Sequence, residues 1–296
     1  MTIKHLVLSS GAYKGFYTIG SLYYLQEQEF YNINDIKSIY GTSVGSIIGA
    51  ILCLKLDFND LIEYAINKPW HKSFKLSVDS LLNILSNKGF VDKRFIVGVF
   101  ENLLKNAGLS KKCTLKDLYE HSGIDLNLFT TKYEDLTLLK ISHKSHPDME
   151  LIDAIYISST IPFIFQPLYI ENNCFIDGAV LNPYPLDDCI FDLKEKYGDI
   201  SKNEILGLKI LDGNLKPGDK SSSIFYFGFY MLNNLIDKTR EICREEIPYE
   251  LVIPTLDVLS LESAKNVIYD KEERKRLIEI GKNYAKVFLN TITKQH

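Results

Sequence analysis

The chain has 296 residues, 46% of them hydrophobic and 24% charged. That is enough for a sizeable core in one large α/β domain or two small ones, and too apolar for disorder. A formal net charge of −4 leaves no overall electrostatic footprint for nucleic acid. The five cysteines, Cys53, Cys113, Cys174, Cys189 and Cys243, stand too far apart for a metal knuckle or redox pair and read as reduced structural thiols of a cytoplasmic protein.

Lys4 and His5 precede only a short apolar run, which does not read as a secretory signal. The longest apolar stretch, Ile47 to Leu54, is far too short to span a bilayer. Ile3 to Leu8 predicts a buried first strand. Small residues follow in Ser9-Ser10-Gly11-Ala12-Tyr13-Lys14-Gly15, and then Ile19, Leu22, Tyr23 and Leu25 set a helix over 16–28 against the sheet. A small-residue loop between strand and helix lines up backbone N–H groups that suit a phosphate or an oxyanion, although it also serves as a plain βα turn. Lys14 is not followed by Ser or Thr at the end of a Gly-rich run, so the loop is no nucleotide-binding P-loop.

A second strand over 36–40 runs into Gly41-Thr42-Ser43-Val44-Gly45 and an apolar helix. Strand, tight turn and helix place the serine at the point of a nucleophile elbow. The two glycines are expected where a side chain would strike the passing strand and helix. The helix aims its free N–H groups at the serine. A loop that merely contains Gly, Ser and Gly is the alternative. Two βα units in succession bring both loops to one carboxyl edge of a parallel sheet.

Helices are expected over 58–67, with Asp57 or Asn59 at the start, and over 76–85, 93–104 and 115–121; Asn87-Lys88-Gly89 interrupts them. Residues 125–131 and 136–143 read as neighbouring strands. His143 and His146 bracket a polar turn and read as solvated loop histidines rather than as a metal site. A helix over 151–160 carries Ser158 and Ser159 near its end, and Pro162 and Pro167 then fix an extended segment. Tyr169-Ile170 and Cys174-Phe175-Ile176 frame a hairpin turn at Glu171-Asn172-Asn173. Asp177-Gly178-Ala179 ends the second strand; the carboxylate either reaches across the surface or accepts hydrogen bonds within its own turn. Asn182-Pro183-Tyr184-Pro185 leads into a helix up to Leu193.

Residues 205–211 and 250–253 read as core strands. Between them a long helix over 222–244 has a core stripe of Phe225, Phe229, Leu232, Ile236 and Ile242. Tyr226, Phe227 and Tyr230 fall off that stripe and either widen the buried face or meet a membrane interface. A closing amphipathic helix is expected over 271–288, and Trp70, beside Pro69, lies in the region expected to cap the site.

Four blocks in order resemble the patatin-like phospholipase family: Ser10-Gly11-Ala12-Tyr13-Lys14-Gly15, the Gly41 to Gly45 elbow, Ser158-Ser159 followed by Ile161-Pro162-Phe163 and Pro167, and Asp177-Gly178-Ala179 with Asn182-Pro183. The blocks cover residues 1 to about 185. The resemblance implies an α/β, three-layer α/β/α fold with a central, mostly parallel sheet and a nucleophile elbow. It also implies one domain over 1–296, with a variable cap-like segment at about 57–150 and a helical extension at about 221–296. It implies a serine–aspartate dyad of Ser43 and Asp177, an oxyanion loop at Gly11, Ala12, Tyr13, Lys14 and Gly15, turn glycines at Gly41, Gly45 and Gly178, and no metal or cofactor. The residues give independent support, because His296 is the only histidine after Asp177 and a Ser-Asp-His triad in the usual hydrolase order lacks a credible histidine. Asp177 is then expected to be partly desolvated with a raised pKa. Lys14 either fixes the loop, attracts a lipid phosphate or simply faces solvent.

The implied activity is lipid acyl hydrolysis of phospholipase A type. The implied partners are a phospholipid or other acyl-ester lipid and, peripherally, a membrane. Docking is expected through Trp70 and the Tyr226, Phe227 and Tyr230 cluster. The chain departs from the family pattern at Ser10 and Ala12, where the family has glycine. That departure motivates a second reading, a catalytically weak or silent lipid-binding protein of the same fold. A thioesterase or small-ester hydrolase is the third.

Overall fold

The apolar run Leu6-Val7-Leu8 is buried on both faces, as a central parallel strand requires. The computed structural model describes residues 2–73, 84–211, 224–240, 245–255 and 261–294. Among them the strands are β1 (His5–Leu8), β2 (Ser38–Thr42), β3 (Asp125–Lys132), β4 (Thr137–Ile141), β5 (Leu168–Ile170), β6 (Asn173–Asp177), β7 (Ile205–Leu211) and β8 (Tyr249–Pro254). Hydrogen-bonded neighbours run β5-β6-β3-β2-β1-β7-β8, and β4 pairs with β3 beside that path. Five strands, β3, β2, β1, β7 and β8, are parallel, and the β4, β5 and β6 pairings are antiparallel.

Among the described residues the helices with more than one turn are α1 (Gly15–Glu27), α2 (Val44–Cys53), α3 (Phe58–Asn67), α4 (Arg94–Asn106), α5 (Leu115–Ser122), α6 (Leu151–Ser158), α7 (Leu186–Tyr197), α8 (Ile224–Arg240), α9 (Leu261–Tyr269) and α10 (Lys271–Thr293). Alternation along the strands splits the core in two. Leu6, Leu8, Ile39 and Leu128 face the larger cluster, which contains residues of α1, α2, α6 and α10. Val7, Tyr40, Phe129 and Ile205 face Leu186, Cys189, Ile190 and Leu193 of α7. The result is a mixed α/β fold with helices on both faces of a mostly parallel sheet.

β3 is longer than its neighbour β2, and that difference positions the site. Its residues 128 and 129 pair with both β2 and β4, while 130 to 132 pair with both β4 and β6. A strand has two edges, so β4 fills one and β2 and β6 share the other in succession. Thr42 pairs with Phe129, and the next residue of β3, Thr130, pairs with Asp177. The end of β6 therefore arrives where β2 stops.

Several expectations need correction. Residues 125–141 of the expected cap-like segment are the sheet strands β3 and β4, and α4 buries Ile96, Val99 and Phe100 in the main core. The hairpin turn holds only Glu171 and Asn172, both at positive φ (49° and 66°), as a two-residue turn favours; Asn173 belongs to β6. Most of the helix expected over 76–85 lies outside the described residues, and a single turn forms at Ile84–Asn87. Ile242 and the side chains of Phe225, Tyr226 and Phe229 also lie outside them. His143 is not a freely solvated loop histidine: its ring stacks on Tyr119 at 3.7 Å, its Nδ1 lies 3.2 Å from Asp125, and burial lowers its pKa. Trp70 packs edge-on against Phe16 and its indole N–H donates to the Ala65 carbonyl at 2.9 Å, so it belongs to the core rather than to a docking face.

The helix α9 has no counterpart in the sequence reading. The closing helix α10 meets α1 backbone to backbone: a methyl group at Gly20 would fall on the carbonyl of Ile278, and one at Gly281 on that of Tyr17. Arg274 of α10 is buried, and its guanidinium donates to the carbonyls of Ile66 and Lys68 at the C-terminal end of α3 and of Val267 and Ile268 in α9. It satisfies the carbonyls that helix ends leave unpaired.

Candidate active site

The turn from β2 to α2 places Ser43 at φ 57° and ψ −121°, a backbone conformation that a side chain disfavours. Gly41 and Gly45 permit the turn because the chains pass so closely. A methyl group at Gly41 would meet the Gly45 carbonyl, and one at Gly45 the Leu8 carbonyl. Ser43 is 3% exposed, at the N-terminus of an apolar helix.

The shared edge of β3 brings Asp177 to it. The Ser43 hydroxyl donates to Asp177 Oδ2 at 2.6 Å, and Oδ1 accepts the Ala179 N–H at 2.8 Å. One sequence alternative is realised on Oδ1, which accepts within its own turn, and the other oxygen meets Ser43 in the interior. The carboxylate does not lie across the surface: Asp177 is 2% exposed. Burial pushes its pKa up to about 7, against the opposing pull of the bonds from Ser43 and Ala179. Gly178 opens the short turn that follows.

The loop after β1 lies beside this pair. Ala12 takes φ 48°, at a cost of about 1 kcal/mol or more for a residue with a Cβ. Among the described residues the N–H groups of Gly11 and Ala12 meet no backbone acceptor. The loop is fixed at its flanks. The Ser9 hydroxyl accepts the Ile210 N–H at 2.9 Å, and the Ser10 N–H donates to the Pro183 carbonyl at 2.8 Å. Pro183 follows the Asp177 turn, so the loop and the carboxylate share a tether. Tyr13 is half-buried against the main core, and Gly15 begins α1.

Lys14 corrects two of its three sequence readings. It is fully buried, and its Nζ donates to Thr255 Oγ1 at 2.8 Å; Thr255 in turn donates to the Leu211 carbonyl at 3.1 Å. It neither faces solvent nor projects to a lipid phosphate, and it anchors the loop to the far end of β7. Thr255 and Ser46 had no sequence signal. The hydroxyl of Ser46 donates to the Gly41 carbonyl at 2.8 Å inside the elbow. His296 lies outside the described residues, and among those described no cluster of three metal-ligating side chains occurs. A serine hydroxyl bonded to a buried carboxylate is an arrangement suited to acyl transfer.

A strained serine on a strand–helix turn, at the carboxyl edge of a parallel sheet, defines the class as an elbow hydrolase fold. Residues 6–190 match the patatin-like phospholipase family model, and the chain belongs to that family. It is 31% identical over 201 residues to the "probable lipid hydrolase 463L" of invertebrate iridescent virus 6, covering 63% of each chain. It is 26% identical over 196 residues to the "uncharacterized protein R571" of Acanthamoeba polyphaga mimivirus, covering 66% of this chain and 64% of that one. The matches thus span somewhat less than two thirds of those relatives' length. Among solved structures, VipD from Legionella pneumophila superposes with a TM-score of 0.54 at 15% identity, over 98% of this chain and 67% of VipD, a likeness of fold.

The burial of Asp177 has a measurable cost. Its folded pKa of about 7 lies above the ordinary aspartate value. Its stabilising contribution is therefore complete in acid, below the unfolded pKa, and is lost as pH rises through about 7. A rise of that size corresponds to about 4 kcal/mol. Asp177→Asn should raise stability by up to about this amount at pH 8.5, and by much less at pH 5. Urea midpoints of both proteins at the two pH values check this. A difference that does not grow with pH contradicts the burial of an ionisable group.

Proposed function

We propose that the protein is a lipid acyl hydrolase of phospholipase A type, acting through Ser43 and Asp177. The observation that carries this reading is the 2.6 Å hydrogen bond from the Ser43 hydroxyl to a buried carboxylate at the elbow. Family membership and the name of the iridescent virus relative support the substrate class.

In this reading Asp177 Oδ2 takes the Ser43 proton as Oγ attacks the acyl carbonyl carbon. The N–H groups of Gly11 and Ala12, with the N-terminus of α2, stabilise the negative charge that develops on the carbonyl oxygen. The intermediate collapses, the ester C–O bond breaks, and Asp177 returns the proton to the leaving alcohol. A water molecule then gives a proton to Asp177 and attacks acyl-Ser43, which releases the fatty acid and restores the serine. A carboxylate with the ordinary aspartate pKa is a poor base for a serine. One with a pKa near 7 is better matched and remains largely ionised just above neutrality. The φ of 48° at Ala12 favours this reading over a silent lipid-binding protein, because the loop holds its shape despite the missing glycine. The free, buried Cys53, Cys113, Cys174 and Cys189 support a reducing, cytoplasmic setting.

No helix among the described residues is long and apolar enough to cross a membrane, so the enzyme meets its lipid at a surface. α8 supplies an apolar stripe for this. Phe227 is 62% exposed, and Met231 and Leu235 follow at four-residue spacing, also exposed. α8 packs beside the Gly178–Val180 turn after Asp177, and the exposed Phe163 lies over Gly228. Tyr230 is half-buried. A net charge of −4 supports docking by apolar burial, at about 2 kcal/mol per large side chain, over docking by Coulomb attraction.

A fluorophosphonate probe should label Ser43 covalently in the wild type and leave Ser43→Ala unlabelled, as read by peptide mass spectrometry. Labelling that survives Ser43→Ala contradicts the assignment. Separately, Phe227→Ser with Met231→Ser should lower hydrolysis of zwitterionic vesicles at least about tenfold and spare a soluble short-chain ester, with little dependence on salt. Equal loss on both substrates would assign these side chains to the fold instead, and full activity on a soluble thioester alone would favour the thioesterase reading.

A further inference from the structure

We propose that Ser158 and Ser159, where α6 ends, are positioning residues that hold the peptide groups of Ser43 in its strained conformation, and that Thr160 ties Asp177 to the same segment. The proposal rests on the assignment of Ser43 as nucleophile. Three consecutive residues make these contacts. Ser158 Oγ accepts the Ser43 N–H at 3.3 Å, the Ser159 hydroxyl donates to the Ser43 carbonyl at 3.2 Å, and the Thr160 carbonyl accepts the Asp177 N–H at 2.8 Å. One short piece of chain therefore grips both members of the dyad.

The segment is itself anchored. Ser158, Ser159 and Thr160 are buried. The Ser158 hydroxyl donates to the Phe129 carbonyl at 2.6 Å and lies 2.6 Å from Ser46 Oγ. Thr130 Oγ1 donates to the Ile157 carbonyl at 2.9 Å, and Thr160 Oγ1 donates to that of Tyr156 at 2.7 Å. β3 thus fixes the clamp at Phe129 and Thr130, the same two residues that receive the ends of β2 and β6.

The two serines do unequal work. The Ser43 carbonyl also accepts the amides of Ser46 and Ile47 at 2.9 and 3.3 Å, as the first turn of α2. The Ser43 N–H has only Ser158 as acceptor among the described residues. Removing the Ser158 oxygen leaves a buried donor unpaired and releases the N-terminal side of a residue at φ 57°, a conformation that persists only while its surroundings enforce it. The hydroxyl of Ser43 then strays from Asp177 and from the oxyanion donors, and small displacements of reacting groups are costly in rate.

The test uses the full chain, with kinetics on a soluble short-chain ester below each variant's measured unfolding midpoint. Ser158→Ala should lower kcat and the rate of fluorophosphonate labelling about thirtyfold, with KM within about twofold of wild type. Ser159→Ala should lose about fivefold in the same two quantities, and Ser159→Thr, which keeps the hydroxyl, should recover most of it. If Ser158→Ala does not fold, the Ser159 pair decides by the same criteria. Alanine variants that label and turn over at the wild-type rate, or that lose in KM rather than kcat, overturn the clamp and leave the Ser43 assignment standing. A wild type that the probe never labels overturns both.

Discussion

A carboxylate held away from water, with one hydroxyl to bond, is the constraint on which the rest of the structure depends. Asp177 is buried at the end of β6, and its Oδ2 accepts from Ser43 at 2.6 Å. Burial costs free energy through the charged form of the carboxylate. The same burial raises the pKa to about 7, which in the proposed reaction suits a carboxylate to take the proton of a serine without a histidine between them. The site's destabilisation and its chemistry thus have one physical origin.

The sheet absorbs that cost. β3 extends past the end of β2, and β6 takes the vacated edge, so that Asp177 arrives one residue beyond the partner of Thr42. Two strained residues, Ser43 and Ala12, converge on the same edge, each costing on the order of 1 kcal/mol or more. Surrounding contacts hold them: the Ser9 and Ser10 bonds, the buried Lys14–Thr255 contact, and the hydroxyls from the end of α6. α10 closes the layer over α1, the helix that follows the loop after β1, through close contact at Gly20 and Gly281.

Those parts of the fold that depend on neighbours in sequence were legible in it. The apolar run of β1, the Gly41 to Gly45 pattern and the hairpin before Asp177 each write their geometry within a few residues. The pairing of Ser43 with Asp177 was implied by the family resemblance, and the position of His296 as the only histidine after Asp177 supported it. What remained hidden depends on partners distant along the chain. Lys14 kept three readings open because Thr255, which binds it inside, lies 241 positions away. Ser158 and Ser159 read as small residues at a helix end, and their bonds to Ser43 cross 115 and 116 positions. Trp70 read as part of a cap because nothing adjacent announced its packing on Phe16.

The dependence of chemistry on a buried aspartate is tested most directly by the pH profile of acylation in a single turnover, with a soluble activated ester and both the wild type and Asp177→Asn. The account predicts a wild-type rate that climbs through a midpoint near pH 7 and levels off above it. It predicts a rate lower by about a hundredfold or more in Asp177→Asn, with that limb gone. A wild-type profile without an ascending limb between pH 5 and 9, or an asparagine variant that acylates at the normal rate, would contradict it.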